Sequence, residues 1–264
     1  MAGIAEHERQ QEVLRLLDVD GRVSVSDLVR RFGVTAVTIR KDLEVLERRH
    51  LLARVRGGAV PADGADEGAF EMRMRHGVAA KAAIARAAAA IVPDGAAIVL
   101  DCSTTCYHLA HELRGRRSLI VVTNGLRAAE LLSDSGVTVV LPGGTLRRSS
   151  WSLVGDFGDV VMSRGRLTMG FFGVRGLSRE HGLMELSIEE TTVKRRLAAA
   201  CTEVYGLFDS SKIGRFALHS FVATQRITGL YTDDGAAPDA LSGFAEQGVK
   251  IHRMPVDDTH ETSA

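Results

Sequence analysis

The stretch AAIVLDCSTTCYHLAHEL, residues 96–113, places a short apolar run directly before a helical pattern. The apolar run ends on Asp101, and three hydroxyl residues stand where the helix begins: Ser103, Thr104 and Thr105. The first amides of a helix lack partners within the helix, and together with the helix dipole they favour a bound anion. The stretch therefore predicts a strand–helix junction that can hold a small anionic molecule.

The same alternation of apolar runs and helical patterns continues along the chain. Strands that alternate with helices are typical of a mainly parallel sheet with helices on both faces. We therefore expect an α/β fold from about residue 75 onward. The predicted strands are 96–101, 118–124, 137–144, 167–174, 203–209, 227–234 and 249–254, and the predicted helices are 78–91, 104–114, 125–134, 187–200 and 237–247.

Polar residues and glycines follow several of these predicted strands. Ligands of an open parallel sheet gather beyond the carboxyl ends of its strands, and glycine permits a close backbone approach to them. A lysine in the same region can pair with an anionic group. The candidate ligand-binding residues are Asp101, Ser103, Thr104, Thr105, Thr123, Asn124, Gly143, Gly144, Asp209 and Lys212.

Two other groups of reactive side chains have ordinary structural interpretations. Glu190 and Lys194 are one helical turn apart, which favours a surface ion pair, with a place in the pocket as the alternative. The second group is a set of two cysteines and two histidines near the start of the helix predicted over 104–114. Its spacing does not match a structural zinc site. We therefore expect the cysteines to pack at the strand–helix junction, and we expect no metal or other cofactor. That group is Cys102, Cys106, His108 and His111.

The charge of the chain is balanced overall but not locally. The 264 residues include 33 basic and 33 acidic side chains, whereas residues 30–56 hold eight basic against three acidic ones. A basic stripe at one end of a neutral protein indicates a polyanionic partner, and a solvated helix face is the alternative. Three cysteines give no disulfide framework, and the N-terminus lacks the apolar core of a signal peptide. With no predicted membrane span, we expect a cytoplasmic protein.

The basic stripe coincides with a pattern of short helices. A first helix is predicted over 5–18, a second over SDLVRRF with Ser24 or Ser26 as its cap and Gly33 at its end, and a third from Thr35 to about Arg49. Ile39, Leu43 and Leu46 fall on one side of the third helix, which buries that side. The pattern alone fits a helical bundle as well as a nucleic-acid reader. Residues predicted to face DNA are Thr35, Ala36, Thr38, Arg40 and Lys41 on the third helix, with Arg54 and Arg56 on the following hairpin.

The segment VTAVTIRKDLEVLERRHLLARVRGGA, residues 34–59, resembles the N-terminal signature of the DeoR family of bacterial transcriptional regulators. That signature reads V-S-x-x-T-I-R-R-D-L-x-x-L-x-x-x-G-x-L-x-R-x-H-G-G-A. Thr35 and Lys41 depart from it conservatively, and Arg56 stands in place of the usual His. His50 replaces a Gly in a turn that often needs a positive φ, which bears on the angle of the hairpin.

The resemblance continues through the α/β region. KAAIARAAAAIVPDGAAIVLDCSTTCYHLAHEL, VVTNGLRAAELL, LPGGTLRRSSWSLVG and DSSKIG are similar to blocks of the family's C-terminal domain. The resemblance implies a ribose-phosphate-isomerase-like α/β fold that senses phosphorylated sugars or related metabolites. Ser103 departs from the family's D-x-G-T-T motif, so the effector is expected to differ or to bind less tightly. Gly170 stands where the family often has Asp, so one polar contact or ion pair is expected to be missing.

These observations lead to one preferred organisation and function. We expect a winged helix-turn-helix domain over 1–60, a linker over 61–74, an effector-binding domain over 75–254 and a flexible tail over 255–264. The protein is then a transcriptional regulator, and more a repressor than an activator. It binds double-stranded operator DNA as a homodimer or homotetramer and responds to a phosphorylated sugar or similar anion. One alternative is a sugar-phosphate isomerase that uses Asp101, Asp209 and Lys212, and another is a scaffold without a ligand.

Overall fold

The computed structural model describes residues 6–20, 22–48, 52–60, 70–155, 167–215 and 217–256. The chain divides into two compact units between Arg73 and Met74. The described elements of the first unit are α1 (Glu6–Asp20), β1 (Val23–Ser24), α2 (Val25–Phe32), α3 (Ala36–Arg48), β2 (Ala53–Val55), β3 (Gly58–Val60) and the beginning of α4 (Phe70–Arg75).

Local capping signals determine where the helices of the first unit begin and end. Ser24 caps α2, since its side chain accepts a hydrogen bond from the amide of Asp27. Gly33 ends α2 in the left-handed conformation with φ of 65°, which glycine adopts at low cost. The caps predicted at Ser24 and Gly33 are confirmed. The small sheet is antiparallel in the order β1-β3-β2.

The first unit has its own apolar core, built from one side of each helix and from the hairpin. Ile39, Leu43 and Leu46 of α3 are at most 1% exposed, as their spacing predicts. Met72 of α4 belongs to the same core. The sequence predicts a linker over 61–74. Residues 61–69 lie outside the described part of the chain, and residues 70–74 belong to α4. Other core members are Val13, Leu17, Leu28, Phe32, Leu52 and Ala59.

The second unit is an α/β fold, as the alternating pattern predicts. Its further elements are α5 (Val78–Ala90), β4 (Ala97–Leu100), α6 (Thr104–Leu113), β5 (Ile120–Thr123), α7 (Leu126–Ser133), β6 (Thr138–Val140), β7 (Thr145–Arg147), β8 (Ser152–Val154), β9 (Leu167–Gly173), β10 (Gly176–Ser178), β11 (Gly182–Glu185), α8 (Ile188–Ala199), β12 (Cys201–Leu207), β13 (His219–Val222), β14 (Gly229–Asp233), α9 (Ser242–Ala245) and β15 (Lys250–Met254). Short 3₁₀ turns lie at Ser210–Lys212 and Thr224–Arg226.

Seven strands form one parallel sheet in the order β15-β14-β12-β9-β4-β5-β6. An apolar cluster covers each face of the sheet. One includes Ile84, Leu109 and Leu132 from α5, α6 and α7, and the other includes Leu197 and Phe244 from α8 and α9. Both faces are therefore covered by helices, and the carboxyl ends of all seven strands meet along one edge.

Two small antiparallel sheets, β7–β8 and β10-β11-β13, are absent from the sequence-based prediction. Their strands are three or four residues long, which is too short for a periodic pattern to register. The helix predicted over 237–247 is reduced to α9, four residues long. Within the described ranges, no helix combines the length and apolar character needed to cross a membrane.

Candidate functional site

The exposed side of α3 is the first candidate surface. The Thr35 hydroxyl accepts a hydrogen bond from the Thr38 amide at 3.2 Å and so caps the helix, and it lies 2.9 Å from the Thr38 hydroxyl. Ala36 and Thr38 are half-buried, whereas Arg40 and Lys41 are exposed. The structure therefore presents the two cations as predicted and turns the two small residues further inward than predicted.

A buried ion pair fixes α3 against α1. The Arg9 Nε lies 2.6 Å from Asp42 Oδ2, and its Nη2 lies 3.1 Å from Oδ1. The Asp42 side chain is 3% exposed, and the Gln10 amide donates a third hydrogen bond to it. This bidentate contact sets the orientation of α3 in the domain, and sequence reasoning did not find it because its partners are 33 residues apart.

A side-chain contact between Glu47 and Arg54 joins the hairpin β2–β3 to α3. Glu47 accepts hydrogen bonds from the Arg54 amide at 2.9 Å and from the Arg54 Nε at 2.8 Å. Arg54 is thus already engaged, while Arg56 is exposed in the turn beside Gly57, which has φ of 87°. His50, expected to affect the hairpin angle, lies outside the described residues. We define the recognition surface as the exposed side of α3 together with this hairpin.

In the second unit, the loop after β4 is held by a buried charged network. Asp101 is fully buried, and its carboxylate accepts hydrogen bonds from the amides of Ser103 and Gly173, each at 2.9 Å. The Lys194 Nζ lies 3.1 Å from Asp101 Oδ2 and donates to the Gly173 carbonyl and to Glu185. This network joins the ends of β4 and β9 to α8 and β11.

The charges in this network stabilise one another. Burial by itself would lower the pKa of Lys194, but the carboxylates of Asp101 and Glu185 raise it well above the usual lysine value. Burial would likewise raise the pKa of Glu185, but Lys194 and Arg175 lower it to about 2. Lys194 and Glu185 are therefore charged at neutral pH despite their burial.

Glu190 is the centre of a second polar cluster on α8. It is 2% exposed and accepts hydrogen bonds from the hydroxyls of Ser150 and Ser152 and from the thiol of Cys102. Arg147 lies 3.9 Å from the same carboxylate. The predicted surface ion pair of Glu190 and Lys194 is wrong, because both side chains point inward and each binds groups on other elements.

A side-chain cap fixes the beginning of α6. Ser103 caps the helix, since its hydroxyl accepts the Cys106 amide at 3.1 Å. Its φ of −71° is ordinary, so this position does not need glycine for backbone reasons. A Cβ added at Gly173 would overlap the Ser103 side chain, so this glycine leaves the space that Ser103 occupies. Thr104 and Thr105 follow in the first turn and are 4% and 5% exposed.

The hairpin β7–β8 attaches to the loop after β5. The Leu153 amide donates to the Asn124 carbonyl at 2.8 Å, and the Asn124 Nδ2 donates to the Leu153 carbonyl at 3.3 Å. Thr123 accepts the Gly125 amide, and a Cβ added at Gly125 would lie 2.8 Å from Cys102 Cα. The loops after β4 and β5 therefore touch.

Asn124 and two glycines after β6 lie near the β5–β6 end of the edge formed by the carboxyl ends of the strands. The Asn124 side chain is fully buried, and its Oδ1 has no hydrogen-bond partner among the described residues. Gly143 and Gly144 are exposed, with φ of 91° and 114°, and lead directly into β7. A Cβ on Gly144 would lie 2.5 Å from the Val154 carbonyl oxygen, so the turn into the hairpin requires glycine there.

Two of the predicted residues lie elsewhere along the edge. Asp209 and Lys212 follow β12, which β9 separates from β4, and the strand spacing of about 5 Å puts the two loops about 10 Å apart. Asp209 accepts the Ser211 amide at 3.1 Å and lies beside Gly77. Gly170 is inside β9, where an added Cβ would lie 2.6 Å from the Phe172 ring, so its absent side chain leaves space for core packing.

The sequence singled out half of this site and missed the other half. Gly173, Glu185, Ser150 and Ser152 were not among the candidates. The repeated serines of SSWS, residues 149–152, were the only local signal for the hydroxyl pair, and none existed for Glu185. The thiols bond within the fold: Cys102 donates to Glu190 and Cys106 to the Phe171 carbonyl.

Comparisons with known proteins match both units of the chain. Residues 9–64 match the DeoR-like helix-turn-helix domain, and residues 77–234 match the DeoR C-terminal sensor domain. A candidate repressor of the aga operon in Escherichia coli O157:H7 is 33% identical over 92% of each chain. The HTH-type transcriptional regulator GolR of Listeria innocua is 32% identical over 92% of this chain and 97% of its own.

Two further comparisons found another relative that matches most of the chain and a solved structure that matches about half of it. The glycerol-3-phosphate regulon repressor of Escherichia coli K12 is 30% identical over 89% of this chain and 92% of its own. Ribose 5-phosphate isomerase A of Methanocaldococcus jannaschii superposes on 50% of this chain and 52% of its own, with a TM-score of 0.39 and 17% identity. The two domain matches and the full-length relatives place this chain in the DeoR family of DNA-binding transcriptional regulators.

Proposed function

We propose that the protein is a cytoplasmic repressor that binds operator DNA through the recognition surface and responds to a small phosphorylated sugar bound at the carboxyl edge of the sheet. DNA occupancy changes because the effector binds the DNA-competent and DNA-free conformations with different affinities. By name, one relative is a candidate transcriptional repressor of the aga operon and another is the repressor of a glycerol-3-phosphate regulon. We propose a homodimer or homotetramer, because symmetric half-sites about 34–36 Å apart suit such domains.

The buried, unpartnered Asn124 Oδ1 is the observation that carries the effector proposal. A buried acceptor without a partner costs free energy, and a sugar hydroxyl can supply the missing hydrogen bond. The first turn of α6, with Thr104 and Thr105, supplies amides and hydroxyls for the phosphate. The Asn124 loop and the α6 loop touch, so one ligand can reach both.

An isomerase activity is not part of the proposal. Asp101, the carboxylate that such an enzyme would need, already accepts hydrogen bonds from two amides and pairs with Lys194. Its two oxygens are therefore occupied by the fold rather than presented to a substrate. Asp209 and Lys212, the other members of the isomerase alternative, lie beyond β9.

The chain contains a natural reporter for effector binding. Its single tryptophan, Trp151, lies in the β7–β8 turn next to Ser150 and Ser152, with the Arg127 guanidinium 4.1 Å from its ring centre. Titration of the full-length protein with a panel of sugar phosphates, and with the same sugars unphosphorylated, should change Trp151 fluorescence only for a phosphorylated compound. Asn124→Ala should weaken the affinity measured in this titration at least tenfold, because it removes the buried acceptor.

A matched control makes the titration decisive. Thr192→Val alters an exposed hydroxyl on α8, away from the loops after β4 and β5, and should leave the affinity unchanged. Equal responses to phosphorylated and unphosphorylated sugars would refute the anion site. An unchanged affinity in Asn124→Ala would remove Asn124 from it.

The DNA part of the proposal has its own test. Arg40→Ala should weaken binding to the promoter region of the protein's own gene by about tenfold to a hundredfold, the cost of one good base contact. Arg86→Ala changes an exposed arginine on α5 of the second unit and serves as the control. Equal binding by wild type and Arg40→Ala at low salt would show that α3 does not contact the DNA.

A further inference from the structure

Val37 is the most solvent-exposed of the large apolar side chains in the described part of the chain. It lies in the first turn of α3 and is 72% exposed. Valine also has a lower helix propensity than alanine or the long polar residues. The side chain therefore contributes little to the stability of the domain.

The surroundings of Val37 indicate what it contacts. Arg40 and Lys41, three and four residues further on, lie on the same side of the helix and are exposed. Thr35 and Thr38 bond to each other, and Ala36 is half-buried. Val37 is thus the apolar side chain that the first turn of α3 exposes, one turn before two cations. In helix-turn-helix proteins, this end of the recognition helix enters the major groove.

The major groove displays one apolar group, the C5 methyl of thymine, among hydrogen-bond donors and acceptors. A valine in a helix occupies essentially one rotamer, so it loses little side-chain entropy when it packs against a methyl group. The flanking cations suit phosphate oxygens or the acceptor edge of guanine. We propose that Val37 determines operator specificity by packing against a thymine methyl group. The proposal depends on the DNA-binding role of α3.

The experiment removes the Val37 side chain and the thymine C5 methyl group, first each alone and then both together. The full-length protein selects its preferred duplex from a random library, and each thymine of that duplex is then replaced singly by deoxyuridine, which lacks only the C5 methyl. For the wild type, one replacement in each half-site should lower the affinity by about fourfold, the ratio expected for one methyl group leaving an apolar contact. In Val37→Ala, the same replacement should have no effect.

A second valine provides the control. Val78 is 47% exposed at the start of α5 in the second unit, and Val78→Ala should keep the full sensitivity to deoxyuridine. Val37 is largely exposed, and alanine favours the helix, so the variant should remain folded.

Two results would overturn the inference while leaving DNA binding intact. One is the same sensitivity to deoxyuridine in wild type and Val37→Ala, and the other is no sensitivity in the wild type at any thymine. Failure of the protein to select any sequence is a different result, because it would refute sequence-specific reading by α3 and the inference with it.

Discussion

Replacing Lys194 with methionine removes the only ammonium group in the described network around Asp101 and Glu185. The side chains of these two acids are 0% and 5% exposed, and both contact the Lys194 Nζ. Methionine fills a similar volume without the charge, so the change isolates the electrostatic contribution of the lysine. Two carboxylates would then be buried, and Arg175, whose Nε lies 3.5 Å from Glu185, is a cation that remains near them.

The size of the effect follows from the charges in the network. A decrease in the pKa of Glu185 from 4.5 to about 2 corresponds to about 3 kcal/mol of interaction, at 1.36 kcal/mol per pKa unit. Lys194 is the largest favourable contributor to it, and Asp101 loses its cation as well. Removing one partner of a buried ion pair costs about 3–5 kcal/mol. We therefore expect Lys194→Met to lower the free energy of unfolding of the second unit by about 3–5 kcal/mol at pH 7.

The pH dependence gives a sharper signature. In the wild type, Glu185 stabilises the folded state above pH 4.5 and loses that contribution as the pH falls toward 2, so this group adds no pH dependence between 7 and 5. In Lys194→Met, the buried Glu185 loses its largest favourable charge partner, and burial then makes it bind a proton more readily in the folded state than in the unfolded one. The deficit of the variant should therefore shrink between pH 7 and pH 5.

Urea denaturation followed by Trp151 fluorescence measures the effect in the second unit, because the chain has one tryptophan. Lys250→Met, at an exposed position in β15, is the matched control and should cost less than about 0.5 kcal/mol. Adding Glu185→Gln to Lys194→Met should recover part of the loss. A deficit below about 1 kcal/mol at pH 7, or one that does not decrease at pH 5, would refute this account of the network.

Three further predictions concern other contacts. Asp42→Asn should destabilise the first unit by about 3 kcal/mol, because the buried Arg9 guanidinium loses its counter-ion, and far-UV circular dichroism during thermal unfolding measures this. Burial, with nearby positive charge, lowers the pKa of His108 to about 4, so the unfolded state binds a proton more readily than the folded state. The free energy of unfolding should therefore fall as the pH decreases from 6.5 to 4. In calorimetry, His108→Gln should flatten this pH profile, whereas His111→Gln, at an exposed position, should not. Gly173→Ala should cost about 1–3 kcal/mol in urea unfolding because the new methyl group overlaps the cap of α6, and a neutral result would show that this loop moves aside easily.

The elements of both units were largely predictable because their signals are local. Ser24, Gly33 and Thr35 mark helix ends through bonds to residues three or four positions away. The parallel strands are short β-branched runs between helices, which a sequence pattern detects directly. The two candidate loops after β4 and β5 could be placed together for the same reason, since the ends of adjacent parallel strands must meet.

The charged networks were not predictable because their members come from distant parts of the chain. Asp101 reaches Lys194 from the loop after β4, and Glu190 reaches Ser150 across 40 positions. The sequence of α8 has polar residues on all sides, so its pattern does not show which side is buried. Spacing alone therefore made Glu190 and Lys194 resemble an exposed pair.

The contact between Glu47 and Arg54 limits how operators recognised by this protein can vary. Because the hairpin is fastened to α3, a displacement of the helix along the groove carries the hairpin with it. The length of DNA covered by one domain is then a fixed property of that domain. A half-site lengthened by one base pair would therefore lose its contacts with the helix or with the hairpin.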